Sequence, residues 1–284
     1  MWRRERGGTT EFLRVGRHAV ERWQRIEGDL ARTGTQPLPQ ESAPQARHLT
    51  EALRALYSGG AALPAAPVTV VLESAWSPMM LIDTGDGLSK ASQVEALARH
   101  RLGTLHDDAI DPVAAWTLRI EQRPGDRHAL VYALAPSLRR SLDDAARAIG
   151  LQWAAVTPAF AWGRDRLRAE GVPQRQAGWF AWTEQDRTLV ARIVAGQVEG
   201  LDAGAMLVHD NASLLRVIEA EAARLGLDVG AGPVATATWG PASIVSAEGG
   251  RVIWFDVGGR RWGDGQGSRT GTAAAGFGGS KVSA

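Results

Sequence analysis

The chain has 284 residues and 44% apolar side chains, enough to form one large domain or two lobes around a substantial core. Its formal net charge of +1 excludes a general electrostatic attraction to nucleic acid. Cysteine is absent, which excludes disulfide bonds, thiol catalysis and cysteine-ligated metal sites. We expect a cytoplasmic protein, because no apolar run approaches the roughly 18–20 residues of a spanning helix and no signal peptide is evident.

The first part of the chain predicts short strands followed by a helix and a further strand. Residues 12–26 contain two strand-like runs separated by a turn at Gly16. Residues 29–47 are rich in Pro, Gln, Thr and Ser and predict a loop, whereas the leucine spacing of 49–57 predicts a helix. Residues 68–72 form a compact β-branched run, which is typical of a buried strand.

The rest of the chain predicts further strands and helices in two groups. The first group comprises a strand at 79–82, a helix at 88–102, strands at 116–121 and 128–134, a helix at 136–149, a strand at 151–156 and a linking helix at 158–168. The second group comprises strands at 179–182, 188–193 and 197–201, a helix capped by Asn211 or Ser213 and a strand at 252–257.

This order of elements predicts an α/β protein with mixed sheets covered by helices in two similar lobes. We expect residues 9–168 to form the first lobe and residues 178–258 to form the second. From 259 to 284 small and polar residues dominate, which predicts a disordered Gly/Ser-rich tail. Tryptophan is frequent, with 11 residues, and most of these side chains are predicted to lie in the core.

Two Asp-x-Gly motifs suggest a nucleotide site. Asp83, Thr84 and Gly85 form the first motif, and Asp256 and Gly258 form the second, directly after a predicted strand. In actin-like ATPases and sugar kinases, such turns at hairpin tips hold the nucleotide phosphates, and the carboxylate orients hydrated Mg²⁺. The alternative interpretation is that both motifs are ordinary polar turns, because Asp and Gly are favoured in turns.

A working nucleotide site needs two such loops that face each other and a Gly-rich turn for the base. The predicted first hairpin has Arg17 and His18 at its turn instead of an aspartate. Residues 230–233 are a weak substitute for the Gly-rich turn, and 106–108 predict a solvated charged turn rather than a metal site. The sequence contains neither a P-loop nor a nucleophile-elbow motif.

Residues 68–78 (VTVVLESAWSP) resemble the actin-like assembly proteins of bacterial type IV pilus and type II secretion systems, the PilM-like and cytoplasmic GspL-like families. The resemblance continues through 116–119, 130–136 and 151–158. It implies an actin-like (RNase H-like) two-lobed fold whose nucleotide chemistry is weakened or lost. It also implies a place in a cytoplasmic ring or plate beneath the inner membrane, and it favours the interpretation of Asp83 and its neighbours as a simple turn.

Two functional hypotheses follow. The first is a non-catalytic scaffold, without catalytic residues, cofactor or metal, held at the inner membrane by a short segment of a membrane-anchored pilus or secretion protein. Such a scaffold would also recruit an assembly ATPase. The second is an ATPase or kinase-like enzyme that binds ATP and Mg²⁺ through the two Asp-x-Gly motifs. The position of the carboxylates of Asp83 and Asp256 distinguishes the two hypotheses. The enzyme hypothesis requires both carboxylates to meet in one cleft.

Overall fold

The structure is a computed structural model that describes residues 11–26, 29–39, 46–58, 66–85, 90–105, 112–123, 126–169, 177–202, 208 and 211–227. Of residues 234–238, 252–256 and 261–263 it describes the backbone. Among the described residues, no helix is both long and apolar enough to cross a membrane. The predicted features at 106–108, 230–233 and Gly258 lie outside these ranges.

The elements follow the predicted order closely. The first eight strands are β1 Glu11–Val15, β2 Ala19–Ile26, β3 Asp29–Pro37, β4 Val68–Leu72, β5 Met79–Asp83, β6 Thr117–Glu121, β7 His128–Leu134 and β8 Trp153–Pro158. The remaining strands are β9 Gly178–Thr183, β10 Thr188–Val194, β11 Gln197–Asp202, β12 Val234–Thr238, β13 Val252–Asp256 and β14 Arg261–Gly263. The helices are α1 Ala46–Ser58, α2 Ala91–Leu105, α3 Pro136–Ile149, α4 Ala159–Ala169 and α5 Asn211–Arg224, with a short 3₁₀ helix at Val113–Ala115.

Two mixed sheets share one topology. The first has the order β3-β2-β1-β4-β8, in which β1, β2 and β3 are antiparallel and β4 and β8 run parallel to β1. The second has the order β11-β10-β9-β12-β13-β14, and its first five strands repeat the same directions. The predicted α/β class with mixed sheets in similar lobes is therefore confirmed.

A third, smaller sheet lies between β4 and β8 in the chain. Its order is β5-β7-β6, all antiparallel, and α2 packs on it through Val94 and Ala98. This insertion accounts for the predicted strands at 79–82, 116–121 and 128–134. It places β5 and β6 at the sheet edges, each paired on one side.

The strand faces divide the first sheet between two cores. Leu13 and Val70 point to the side covered by α1 and α3, where they meet Leu53 and Leu142. Phe12 points to the opposite side, because successive residues of a strand face opposite ways. All of these side chains are fully buried, as the apolar patterns of the strands and helices predict.

A continuous aromatic core joins the two lobes through α4. The rings of Phe12 and Trp162 lie 5.7 Å apart, and those of Trp162 and Trp182 lie 6.2 Å apart, both edge to face. Gly163 permits this approach, because a Cβ atom there would stand 2.3 Å from the Trp182 ring. The predicted linking helix is therefore confirmed and packs against strands from both lobes.

Three strands differ from the sequence prediction. The segment predicted as a loop at 29–47 contains β3, which pairs antiparallel with β2 along its whole length. β3 is an edge strand with one neighbour, and its residues are mostly polar with little apolar alternation. The sequence pattern of a strand is therefore weak in this segment. Strand β12 also escaped prediction. Within the predicted tail, Arg261–Gly263 forms β14 beside β13, whereas 264–284 lies outside the described residues. The proposed lobe limits remain predictions.

Candidate functional site at the junction of two hairpin tips

The tips of two hairpins from different lobes meet at one place. The first tip, residues 16–18, joins β1 to β2, and the second, residues 184–187, joins β9 to β10. Glu73 and Ser74, which follow β4, lie between them. The repeated topology explains this, because the first hairpin of each sheet lies at the same end of its lobe. We call these three segments the junction.

Gln185 fills the space between the tips. Its side-chain oxygen accepts hydrogen bonds from the backbone N–H groups of His18 and Ala19, at 2.9 and 3.2 Å. Its amide nitrogen donates to the Ala19 carbonyl at 3.3 Å. A Cβ atom on Gly16 would stand 2.3 Å from the Gln185 amide group, so a larger residue at this position would have to displace that amide. The Trp76 indole holds the loop in place by donating to the Gly16 carbonyl at 2.8 Å.

An ion pair also crosses the junction. A guanidinium nitrogen of Arg17 lies 3.3 Å from a carboxylate oxygen of Asp186, which is also bound by Arg187. Partial burial favours the neutral acid, but the hydrogen bonds from Arg187 and Arg17 outweigh it and lower the pKa of Asp186. Asp186 therefore carries a negative charge that both arginines neutralise.

Two buried glutamates complete the junction. Glu73 is fully buried and accepts hydrogen bonds from the Arg14 guanidinium, at 2.6 Å from Nε, and from the Gln185 backbone at 3.3 Å. Glu184 accepts from the Ser74 backbone N–H at 2.8 Å and from the Ser74 hydroxyl. Burial raises the pKa of both carboxyl groups, that of Glu184 to about 8, and the negative charge of Glu73 adds to the shift at Glu184.

This arrangement does not fit a nucleotide phosphate or its Mg²⁺. The N–H groups of His18 and Ala19, which a phosphate would need, already bind Gln185. Within the described ranges, no group of three or more His, Asp and Glu residues is placed to hold a metal ion. The contacts at the junction hold the two hairpin tips together.

The predicted Asp83, Thr84 and Gly85 lie elsewhere, at the exposed end of β5 in the small sheet. Asp83 forms an ion pair with Arg127 at 3.3 Å and accepts from the Gly85 N–H at 2.9 Å. The hydrogen bond from Arg127 lowers the pKa of Asp83. The buried Thr84 hydroxyl donates to the Arg127 carbonyl at 2.8 Å. These are the contacts of a polar turn that ends a strand.

The second predicted motif is described in part. Asp256 is the last residue of β13, opposite Thr238 of β12, and the structure describes its backbone alone. Gly258 lies outside the described residues. The structure therefore does not test whether Asp83 and Asp256 meet in one cleft.

Sequence reasoning identified Arg17 and His18 but missed Glu73, Glu184 and Gln185. A signal was present, because residues 184–187 (EQDR) are a polar run between two predicted antiparallel strands and must form a hairpin tip. Glu73 directly follows a run of five apolar or β-branched residues. The sequence does not indicate that these segments meet, because they belong to different lobes.

No protein-family profile matches the sequence, and no curated protein matches it with significant similarity. Among solved structures, the chain is similar to a protein of Bacteroides thetaiotaomicron with an actin-like ATPase fold and unknown function, at 10% identity and a TM-score of 0.52 over 82% of each chain. This similarity shows the actin-like fold that the sequence resemblance implied.

Two further solved structures are more distant. One is the cytoplasmic domain of EpsL, an inner membrane component of the type II secretion system of Vibrio cholerae, at 16% identity and a TM-score of 0.48, covering 87% of this chain and 88% of that one. The other is the PilM–PilN type IV pilus biogenesis complex, at 13% identity and a TM-score of 0.44, covering 78% and 66%.

Proposed function

We propose that the chain is a non-catalytic, actin-like scaffold of an inner-membrane pilus or secretion assembly platform. The observation that carries the non-catalytic part is the Gln185 side chain, which occupies the gap between the two hairpin tips. A scaffold needs a rigid joint between its lobes, whereas an ATPase of this fold needs an open cleft with free backbone donors. The contacts of Gln185 support the first of these.

The buried charges favour the same conclusion. Arg14 and Glu73 form a buried ion pair that links β1 to the segment after β4. Arg14 also pairs with the buried Glu21, so the three side chains form one network. Removing one partner of a buried ion pair typically costs about 3–5 kcal/mol. These charges fix the loops of the junction instead of approaching a substrate. The charged groups of the junction therefore hold the lobes together.

The assembly-platform part rests on the sequence resemblance at 68–78 and on the actin-like fold. We propose that a short segment of a membrane-anchored pilus or secretion protein binds the chain and holds it at the cytoplasmic face of the inner membrane. β5 and β6 are the edge strands of the small sheet, each with one strand neighbour, and an extended segment can add to such an edge. An assembly ATPase would be a second partner of the same platform.

The partner is tested by purification of the tagged chain from its native host after mild detergent extraction, followed by crosslinking and mass spectrometry. We expect recovery with an inner-membrane pilus or secretion component, with crosslinks to the small sheet. Recovery of the chain as a free cytosolic monomer would contradict the proposal.

The non-catalytic part is tested separately with Mg²⁺–ATP. A ligand at 100 times its Kd stabilises the folded state by about 2.7 kcal/mol, which a thermal-shift assay detects readily. We expect no shift for the wild-type chain. ATP hydrolysis that Asp83→Asn abolishes would instead establish the enzyme hypothesis.

A further inference from the structure

A polar cavity of about 240 Å³ lies between the small sheet, α4 and the hairpin that joins β10 to β11. It is separate from the junction and shares no residue with it. The cavity draws on three structural units, since β6 and β7 belong to the small sheet, α4 links the lobes, and the hairpin belongs to the second sheet. The cavity is polar because its lining includes the charged or polar side chains of Arg119, Glu121, Arg123, His128, Arg164 and Asp165.

Arg164 on α4 is the buried polar group of this cavity. The residue is 4% exposed, and its guanidinium donates to a Glu121 carboxylate oxygen. Its Nε atom is buried and has no hydrogen-bond partner among the described residues. A buried donor of a charged group without a partner is costly and rare in folded proteins, so an acceptor brought close to Arg164 would be favourable.

Two further arginines, Arg119 and Arg123, line the same cavity. The Arg119 guanidinium lies 2.5 Å from a Glu121 oxygen, so one carboxylate binds two guanidinium groups. Arg123 is exposed, and its guanidinium makes a long contact of 3.4 Å with the Ala195 carbonyl at the tip of the β10–β11 hairpin. Three guanidinium groups thus face two carboxylates, Glu121 and Asp165, which leaves an excess of positive charge at the cavity.

We propose that this cavity binds a small oxyanion, a phosphate or a compact dicarboxylate. Guanidinium groups bind such oxyanions through two parallel N–H···O hydrogen bonds, and Arg123 is free to turn its fork toward the ligand by giving up its long contact with Ala195. A cavity of this volume exceeds the space of a single water, which takes about 30 Å³ in the liquid. A bound anion would tie the small sheet to the second lobe.

The experiment is a calorimetric titration of the full chain at low ionic strength with inorganic phosphate and, separately, with malonate. We expect saturable binding of one anion per chain. Arg123→Gln should weaken binding about tenfold or more, since it removes one charged fork from the cavity. In an NMR spectrum of the arginine side chains, the Nε–H signal of Arg164, identified by its loss in Arg164→Lys, should shift on titration.

Arg127→Gln is the matched control, because Arg127 is an exposed arginine next to His128 that pairs with Asp83 and does not line the cavity. It should bind both anions as the wild type does. Equal weakening by Arg123→Gln and Arg127→Gln would reduce the effect to general surface charge and overturn the site. Absence of saturable heat at millimolar anion, with an unmoved Arg164 signal, would show that the cavity holds only water.

Discussion

The side-chain amide of Gln185 occupies the space in which a Cβ atom on Gly16 would stand, 2.3 Å from the position of that atom. This contact joins hairpin tips from two lobes, and it uses the backbone donors that an actin-like enzyme would need for phosphate. The proposed scaffold function depends on it. The first prediction therefore concerns this pair.

Gly16→Ala should lower the free energy of unfolding by about 1–3 kcal/mol, because the new methyl group displaces Gln185 and breaks its hydrogen bonds to the first hairpin. In a Gln185→Ala background the same substitution should cost much less, since the displaced side chain is already gone. Chemical denaturation of the four chains in this double-mutant cycle measures the coupling. Additive effects would show that the two residues do not interact.

Gly103→Ala is the control for this cycle. A Cβ atom on Gly103 meets nothing within 4 Å, and the residue lies within α2. Alanine should therefore stabilise the helix by about 0.5–1 kcal/mol.

The second prediction concerns the pH dependence of stability at Glu184. Burial, with the charge of Glu73, raises its pKa from 4.5 to about 8 in the folded chain. Between these values the folded state keeps a proton that the unfolded state has released. The stabilisation is therefore complete below pH 4.5 and is lost as pH rises to about 8, at a slope on the order of 1 kcal/mol per pH unit.

Glu184→Gln should remove this contribution. The unfolding free energy of the variant minus that of the wild type should therefore rise as pH increases from 5 toward 8. Urea denaturation at several pH values measures the difference. Glu199→Gln, at an exposed position of β11, should change the curve little. Parallel curves for Glu184→Gln and wild type would contradict the burial of Glu184.

The third prediction compares two buried tyrosines. The Tyr132 hydroxyl is buried and has no hydrogen-bond partner among the described residues, whereas the Tyr57 hydroxyl donates to Glu11 at 2.5 Å. Tyr132→Phe should leave stability unchanged or raise it slightly, because it removes an unsatisfied polar group. Tyr57→Phe should cost about 1.5–3 kcal/mol, because it removes a hydrogen bond to a charged group. The reverse order of denaturation midpoints would refute both assignments.

The fourth prediction tests the central strand of the first sheet. Val70 lies in β4 between β1 and β8 and is fully buried. Val70→Asp places an unpaired charge in the core and should cost several kcal/mol, enough to prevent folding at 37 °C in a protein of ordinary stability. Ala55→Asp, on the exposed face of α1, should remain soluble and folded. Circular dichroism and the soluble fraction on expression separate the two outcomes.

The sequence by itself determined the strongly patterned elements. Strand β4, helix α3 with Pro136 at its start and Gly150 after its end, and the meander of β9 to β11 were all predicted correctly. Their periodicity and their caps are local, so the physics that forms them is visible in a short window. The alternation of these elements was also enough to predict mixed sheets in two similar lobes.

Two strands were not predicted, the edge strand β3 and the central strand β12. Strand β3 is largely polar, and β12 (VATAT) has no large apolar side chain, so neither shows the bulky apolar pattern of the strands that were predicted. Both form because a neighbouring strand supplies hydrogen-bond partners, β2 for the first and β9 with β13 for the second. That partner is a property of the tertiary fold, and a local window does not contain it.

The candidate site divides in the same way. The Asp-x-Gly motif at Asp83 stands out in the sequence, yet its contacts are those of a turn at the end of β5. Gln185 has no motif, and its role arises only where the second hairpin meets Gly16. Composition and periodicity decide which segments become strands and helices. Which loop tips meet, and which polar side chain fills the space between them, is decided by the packing of whole lobes, because that contact joins residues far apart in the chain.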